Sequence, residues 1–234
     1  MVTIILCGGD EAGRGAILGP LVISLVSVKK SAVYKFTEIG VRDSKLLPRE
    51  RRFRLYKDIN DIADDVKVDL IQPSEINSAM RNRISLNELE AVHFARLFDK
   101  MDNNVDVVYL DSPDVVAEKF GIRFNMSSTK QTKVVGIKSE HKKGTKTIRI
   151  ISEHKADSRY PVVSAASIIA KVTRDREIKK LEKELRLHIG SGYPSDKKTI
   201  DMIKKNLVSG VLNNHIREYW RTIENIKQTR LTNF

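Results

Sequence analysis

Gly8-Gly9-Asp10-Glu11-Ala12-Gly13-Arg14-Gly15 is the stretch from which the rest of the chain is read. Ahead of it, Val2 to Cys7 is short, apolar and β-branched, the pattern of a buried strand. Behind it, Ala16 to Pro20 leads into a second such segment, Leu21 to Val28. Two adjacent carboxylates are therefore expected where a strand gives way to a glycine-rich turn, with an arginine between two glycines. Carboxylates at a strand end are hard oxygen ligands of the kind Mg²⁺ and Mn²⁺ prefer. The glycines let backbone N–H groups approach a partner, because no Cβ stands in the way. A dinucleotide site is excluded: Gly13, Gly15 and Gly19 are spaced one residue too long, and Pro20 leads into a strand. Two acids would also face the pyrophosphate. Taken alone, the acidic pair reads as an ordinary solvated turn. The rest of the chain decides against that.

A length of 234 residues suffices for one large domain, or a domain with a small appendage. The formal net charge of +12 points to a polyanionic partner, most simply nucleic acid. Cys7 is the single cysteine, so no intrachain disulfide is expected, and its apolar strand makes it an inert core thiol. No apolar run approaches membrane-spanning length, and Met1 to Cys7 lacks the basic start and longer apolar core of a secretory signal. The expectation is a cytoplasmic protein with no membrane partner.

Strands and helices alternate along the chain. A short helix is expected over Ser31 to Ile39, and a helix from Pro48 to about Asp64 buries Phe53, Leu55, Tyr56, Ile59 and Ile62. Val66 to Ile71 alternates like a strand with one wet face. Pro73 to Met80 is a turn or short helix. Ser85, with Glu88 three residues on, opens a helix through about Met101. Val105 to Leu110 is the next strand and delivers Asp111 at its end. Val115 to Phe120 reads as helix, and residues 132–138 and 146–153 read as strands around the basic loop Lys142-Lys143-Gly144. A long helix follows from Pro161 to Leu187, its first half small and apolar, its second half charged. Helices near 195–208 and 216–230 finish the chain. The order predicts α/β or α+β.

Asp10-Glu-Ala-Gly-Arg-Gly15, followed by Leu18-Gly-Pro-Leu-Val22, resembles the opening motif of ribonuclease HII. Four further blocks agree, in family order: Arg42-Asp43-Ser44-Lys45; Tyr109-Leu110-Asp111; His154 through Asp157 and on from Tyr160 to Arg176; and Ser191-Gly192-Tyr193-Pro194-Ser195-Asp196. They span nearly the whole chain, and the long block resembles the archaeal branch. The resemblance implies a ribonuclease H-like fold of the mixed α/β class. It has a central five-stranded mixed sheet flanked by helices, with residues 1–187 as the catalytic domain and 188–234 as a C-terminal helical segment packed on it.

Phosphodiester hydrolysis needs an activated water and a stabilised leaving oxygen, which two metal ions about 4 Å apart supply. Asp10, Glu11, Asp111 and Asp157 all fall at element boundaries. Spacing does not bring them together. The resemblance does, assigning them to an acidic cluster that holds two Mg²⁺ or Mn²⁺ ions. Acids so crowded repel, and some are expected with raised pKa in the absence of metal.

The 2′-hydroxyl is what separates RNA from DNA at a nucleotide. The resemblance implies that the Gly13-Arg14-Gly15 loop contacts it, that Tyr193 stacks on the deoxyribose of the next nucleotide, and that Ser44 and Lys45 lie near the scissile phosphates. Lys171 and Arg174 read equally as phosphate contacts or as a solvated face. His154 reads as structural, and Ser167 as helix packing. One departure is Gly9, where relatives carry a β-branched residue; it is expected to loosen the site or alter metal preference.

The implied activity is hydrolysis of the RNA strand of RNA–DNA hybrids, with nicking 5′ of single ribonucleotides in duplex DNA. Cleavage leaves 5′-phosphate and 3′-hydroxyl ends. The implied role is ribonucleotide excision in DNA replication and repair, by a monomer with a sliding-clamp contact through its C-terminus. Two rivals remain open. Ribonuclease HIII shares the fold, but Arg14 and the absence of an added N-terminal substrate domain oppose it. A non-catalytic basic nucleic-acid-binding protein suits the charge, but four acids at one site oppose that.

Overall fold

The computed structural model describes residues 3–41, 47–102, 104–135 and 147–231. Ser44, Lys45 and the basic loop at 142–144 lie outside the described residues. The chain forms two compact units, one of residues 1–11, 23–69 and 87–172, the other of residues 12–22, 70–86 and 173–234.

The first unit is built on a six-stranded mixed sheet. Its strands are β1 (Ile5–Ala12), β2 (Leu21–Lys29), β3 (Asp65–Ile71), β4 (Val107–Asp111), β5 (Thr132–Val134) and β6 (Ile148–Glu153), in the order β3-β2-β1-β4-β6-β5. The sixth strand corrects the expected five: β5 is a three-residue parallel strand added at the edge beside β6. β1 pairs in parallel with β4, β4 with β6, and β6 with β5. β1 also runs further than its sequence predicts. Gly8, Gly9, Asp10 and Glu11 stay inside the strand, which ends only at Ala12. For Gly8 and Gly9, backbone pairing to β4 outweighs their weak strand propensity.

β2 is buried along eight of its nine residues, as a central strand covered on both faces must be. The helices of this unit are α1 (Tyr34–Glu38), α2 (Arg49–Ile62), α4 (Leu86–Asp99), α5 (Ala117–Ser127), the short α6 (Ala156–Arg159) and the first half of α7 (Pro161–Leu185). On one side of the sheet, Phe36 of α1, Leu55 and Ile59 of α2 and Val162 to Val172 of α7 share one apolar cluster with Val26 and Val28. α4 and α5 meet through aromatics, with Phe94 edge-on to Phe120 at 5.9 Å and Phe98 tilted on Phe124 at 5.4 Å. Cys7 is fully buried and its thiol is pushed up by burial, an inert core residue as its strand implied.

The two glycines before Asp10 serve the packing. A Cβ on Gly8 would lie 2.4–2.5 Å from the backbone of Val162 and Val163, so α7 seats directly on β1 there. A Cβ on Gly9 would meet Leu110, Leu25 and Phe94 at 2.8–3.1 Å. The larger neighbours fill the space that a β-branched residue would take. The departure at Gly9 is thus absorbed by the core. Gly8→Ala is expected to lower stability by about 2–3 kcal/mol through overpacking, read as a lower denaturation midpoint with an unchanged m-value.

The second unit contains α3 (Pro73–Arg81), the second half of α7, α8 (Lys197–Asn206) and α9 (Arg221–Leu231). Its core gathers Ile17, Leu18, Ile178, Leu181, Met202, Ile203, Leu212, Ile216 and Ile223. Asn77 of α3, buried, donates to Ile216 O and accepts from Glu218 N, each at 2.9 Å, and so fastens the C-terminal segment.

Candidate active site

Two of the expected acids, Asp10 and Asp111, come together through strand register. Gly9 of β1 pairs with Leu110 of β4. The next residues, Asp10 and Asp111, therefore stand level on adjacent parallel strands, about 4.8 Å apart and on one face of the sheet. That is the α7 face, toward which a Gly8 Cβ would also point. Glu11 follows Asp10, its N–H donating to Asp10 Oδ1 at 2.7 Å. Asp111 Oδ1 accepts from the Ala156 N–H at 2.7 Å, which places the start of α6 against the end of β4. Asp157, the next residue, is 3% exposed.

Asp10 is 4% exposed. Burial, then the charge of Glu11, then that of Asp111 raise its pKa well above the usual carboxylate range. A hydrogen bond from Ser167 and the ammonium of Lys171 act the other way. Lys171 in turn donates to Ser167 Oγ at 3.0 Å. Both residues lie on the buried half of α7. Ser167 was expected only to pack and Lys171 to face phosphate or solvent; both instead belong to the surroundings of Asp10. The small apolar run around Ser167 masks that role in the sequence. The signal that was available is the four-residue spacing of Ser167 and Lys171, which shares one helix face.

The second unit carries the glycine turn and Tyr193. Gly13 has φ +95° and its carbonyl accepts from Ala16 N at 3.1 Å. A Cβ on Gly15 would meet nothing within 4 Å, so the backbone at Gly15 is open to approach. Further along the same loop, Ile17 N and Leu18 N both donate to Gly192 O, at 2.9 and 3.2 Å, beside Tyr193. Arg174 is 3% exposed, and that burial lowers its pKa from the ordinary value. Its guanidinium lies 4.6 Å above the Tyr193 ring and donates to Ser191 O at 3.1 Å and Leu18 O at 3.2 Å. Arg174 thus orders this loop pair and is no surface phosphate contact. Arg217, fully buried, does the same for the glycine turn through the carbonyls of Arg14 and Gly19.

The pattern of the ribonuclease HII family matches residues 7–223. A ribonuclease HII of Pyrococcus abyssi is 40% identical over 194 residues, 83% of this chain and 78% of that protein. The crystal structure of the ribonuclease H2 from Pyrococcus horikoshii superposes with a TM-score of 0.81 at 36% identity, covering 97% of this chain and 98% of that one. The RNase HII in a PCNA:RNase HII complex from Archaeoglobus fulgidus gives 0.77 at 32%, covering 93% and 96%. The fold with these relatives defines a type 2 ribonuclease H, a hydrolase of RNA in RNA–DNA hybrids that depends on divalent metal. The chain belongs to the ribonuclease HII family.

Among the described residues, no three Asp, Glu, His or Cys side chains stand close enough to form a ready-made metal site. The donor set still fits a hard divalent cation in kind. It offers only oxygens, and beyond the effect of burial the charges of Glu11 and Asp111 also raise the Asp10 pKa, a repulsion that a cation relieves.

Proposed function

We propose that the chain hydrolyses the RNA strand of RNA–DNA hybrids and nicks 5′ of single ribonucleotides embedded in duplex DNA. Asp10, Glu11, Asp111 and Asp157 would hold the divalent ions, two Mg²⁺ or Mn²⁺ at once. The observation that carries this reading is the strand register that sets the buried Asp10 level with Asp111, with the Asp10 pKa raised by burial and then by the charges of Glu11 and Asp111. When bound, the ions supply an activated water and neutralise the oxygen that leaves. The protein's own part is to keep the carboxylates placed. Ser167 donates to Asp10, Lys171 offsets the local negative charge, and the Ala156 N–H fixes one oxygen of Asp111. Cleavage leaves a 5′-phosphate and a 3′-hydroxyl.

Gly13, Arg14 and Gly15 are proposed to read the 2′-hydroxyl, a role that suits the open backbone at Gly15. Tyr193, its ring faced by Arg174, is proposed to stack on the sugar that follows. Ser44 and Lys45 are assigned to the neighbouring phosphates. The biological role would be removal of misincorporated ribonucleotides and primer remnants by a monomer in the cytoplasm. The A. fulgidus relative forms a complex with PCNA, and a clamp contact through the C-terminus is proposed here by analogy.

The test is nicking of a duplex carrying one ribonucleotide, with Mg²⁺ or with EDTA. Cleavage in Mg²⁺ alone is expected, and binding without cleavage in Mg²⁺ would favour the non-catalytic binder. In the same assay Tyr193→Ala should lose about 10–100-fold on the single-ribonucleotide duplex, the worth of about one to three kcal/mol of stacking. On a long hybrid it should lose much less. Equal losses would remove the stacking role.

A further inference from the structure

The turn that leads into Asp157 is held by a group the proposed reaction does not use. Between β6 and α6, Lys155 adopts the left-handed conformation at φ +56°. For a residue with a side chain this costs about 1–2 kcal/mol, so the turn needs support from its neighbours. Just before it, His154 Nε2 lies 2.7 Å from the backbone carbonyl of Asp114. A carbonyl can only accept, so Nε2 carries the proton. Asp114 is itself a firm anchor. It is 8% exposed, its carboxylate accepts from Asn87 of α4 and Arg123 of α5, and its N–H donates to Ser112 Oγ at 3.3 Å. Ser112 follows Asp111 directly, and its N–H donates to Glu153 O at 2.9 Å.

These bonds close a ring around the end of β4. One side runs Asp111, Ser112, Asp114; the other runs Glu153, His154, Ala156; and the Ala156 N–H returns to Asp111 Oδ1. We propose that the His154–Asp114 hydrogen bond is a clamp that sets Asp111 and Asp157 relative to each other, making His154 and Asp114 positioning residues for the metal ligands. The inference rests on the proposed assignment of those two acids as ligands. His154 acts here as a donor only. Its Nε2–H is present in both charge states of the ring, so the clamp is insensitive to pH around neutrality.

The test compares His154→Ala and His154→Gln in the full chain, His154 being exposed enough to substitute without loss of the fold. Mn²⁺ binding is followed by calorimetry without substrate, exchange of the Ala156 amide by NMR without metal, and cleavage across pH. His154→Ala should weaken Mn²⁺ binding about tenfold, the usual worth of a group that orients a ligand. It should also speed Ala156 exchange while core amides keep their protection. His154→Gln, whose side-chain amide also donates, should restore both, with a wild-type pH profile. Wild-type Mn²⁺ affinity in His154→Ala would overturn the clamp. So would a Gln variant that fails to rescue and loses one limb of the pH profile, since that would make His154 a proton carrier. Failure of the ligand assignment reads differently: Asp111→Asn and Asp157→Asn would then bind Mn²⁺ like wild type.

Discussion

Asp10→Asn cleaves an RNA–DNA hybrid at least about 10³-fold more slowly than the wild type, still binds the duplex, and melts at a higher temperature when no metal is present. The three outcomes share one cause. Asp10 is buried beside Glu11 and Asp111, and its carboxylate form is disfavoured by burial and by their charges. In the unfolded chain it ionises near the ordinary value of about 4; in the fold it keeps its proton well above that. Between those two points the folded protein binds more protons than the unfolded one. The stability of the metal-free wild type therefore falls as pH rises through that window. Asparagine keeps the shape and cannot ionise, so its variant lacks this slope. Melting scans in EDTA at about pH 4 and about pH 8 should show the variant's advantage growing with pH, and a divalent cation should reverse it in favour of the wild type. A constant difference would mean that Asp10 titrates normally, and normal turnover would remove it from the reaction.

How far the sequence carried the reading differs from element to element. β2 and α7 were legible because a run of apolar residues, or one of fitting length and period, leaves little choice. The position of Asp10 and Glu11 was legible only as a boundary. Their glycine-flanked pattern reads as a turn, whereas Gly8 and Gly9 pair with β4 and the strand continues through both acids to Ala12. The edge strand β5 pairs over three residues, too few to set its register from pattern alone. The one-turn α6 begins after a left-handed lysine, at a position where sequence offers no glycine to mark the stop.

For the candidate site, the meeting of Asp10 with Asp111 depends on a register between strands about a hundred residues apart in the chain, which no local pattern encodes. Ser167 and Arg174 were misplaced for opposite reasons. A serine among alanines and isoleucines looks like packing, and an arginine among charges looks wet. Yet one bonds a buried carboxyl and the other is buried over an aromatic ring.

Arg217 is the hardest of these residues to see from sequence, and its loss is expected to be the costliest for the fold. Arg217→Met should cost about 3–4 kcal/mol and lower the melting midpoint by roughly 6–16 °C, at about 2–4 °C per kcal/mol for a chain of this size. The side chain is fully buried. Its Nε and Nη2 donate to Gly19 O at 3.3 and 3.1 Å, its Nη1 donates to Arg14 O at 3.0 Å, and the guanidinium lies 5.1 Å from the Trp220 ring centre. Methionine fills most of the volume but donates nothing, so the carbonyls of Arg14 and Gly19 lose these donors, at about 1–3 kcal/mol per orphaned group. Lysine brings back a charge without the planar fork that reaches both carbonyls, and should recover little. Arg221→Met, at an exposed position four residues on, should change stability by less than about 0.5 kcal/mol. The consequence for activity follows from the same bonds. Arg217 holds the turn that contains Gly13, Arg14 and Gly15, so at a temperature where the variant is still folded, cleavage should fall through weaker handling of the substrate while Mn²⁺ binding at the carboxylates is kept. If Arg217→Met melted with the Arg221→Met control, the guanidinium would be a bystander and the glycine turn would hold itself.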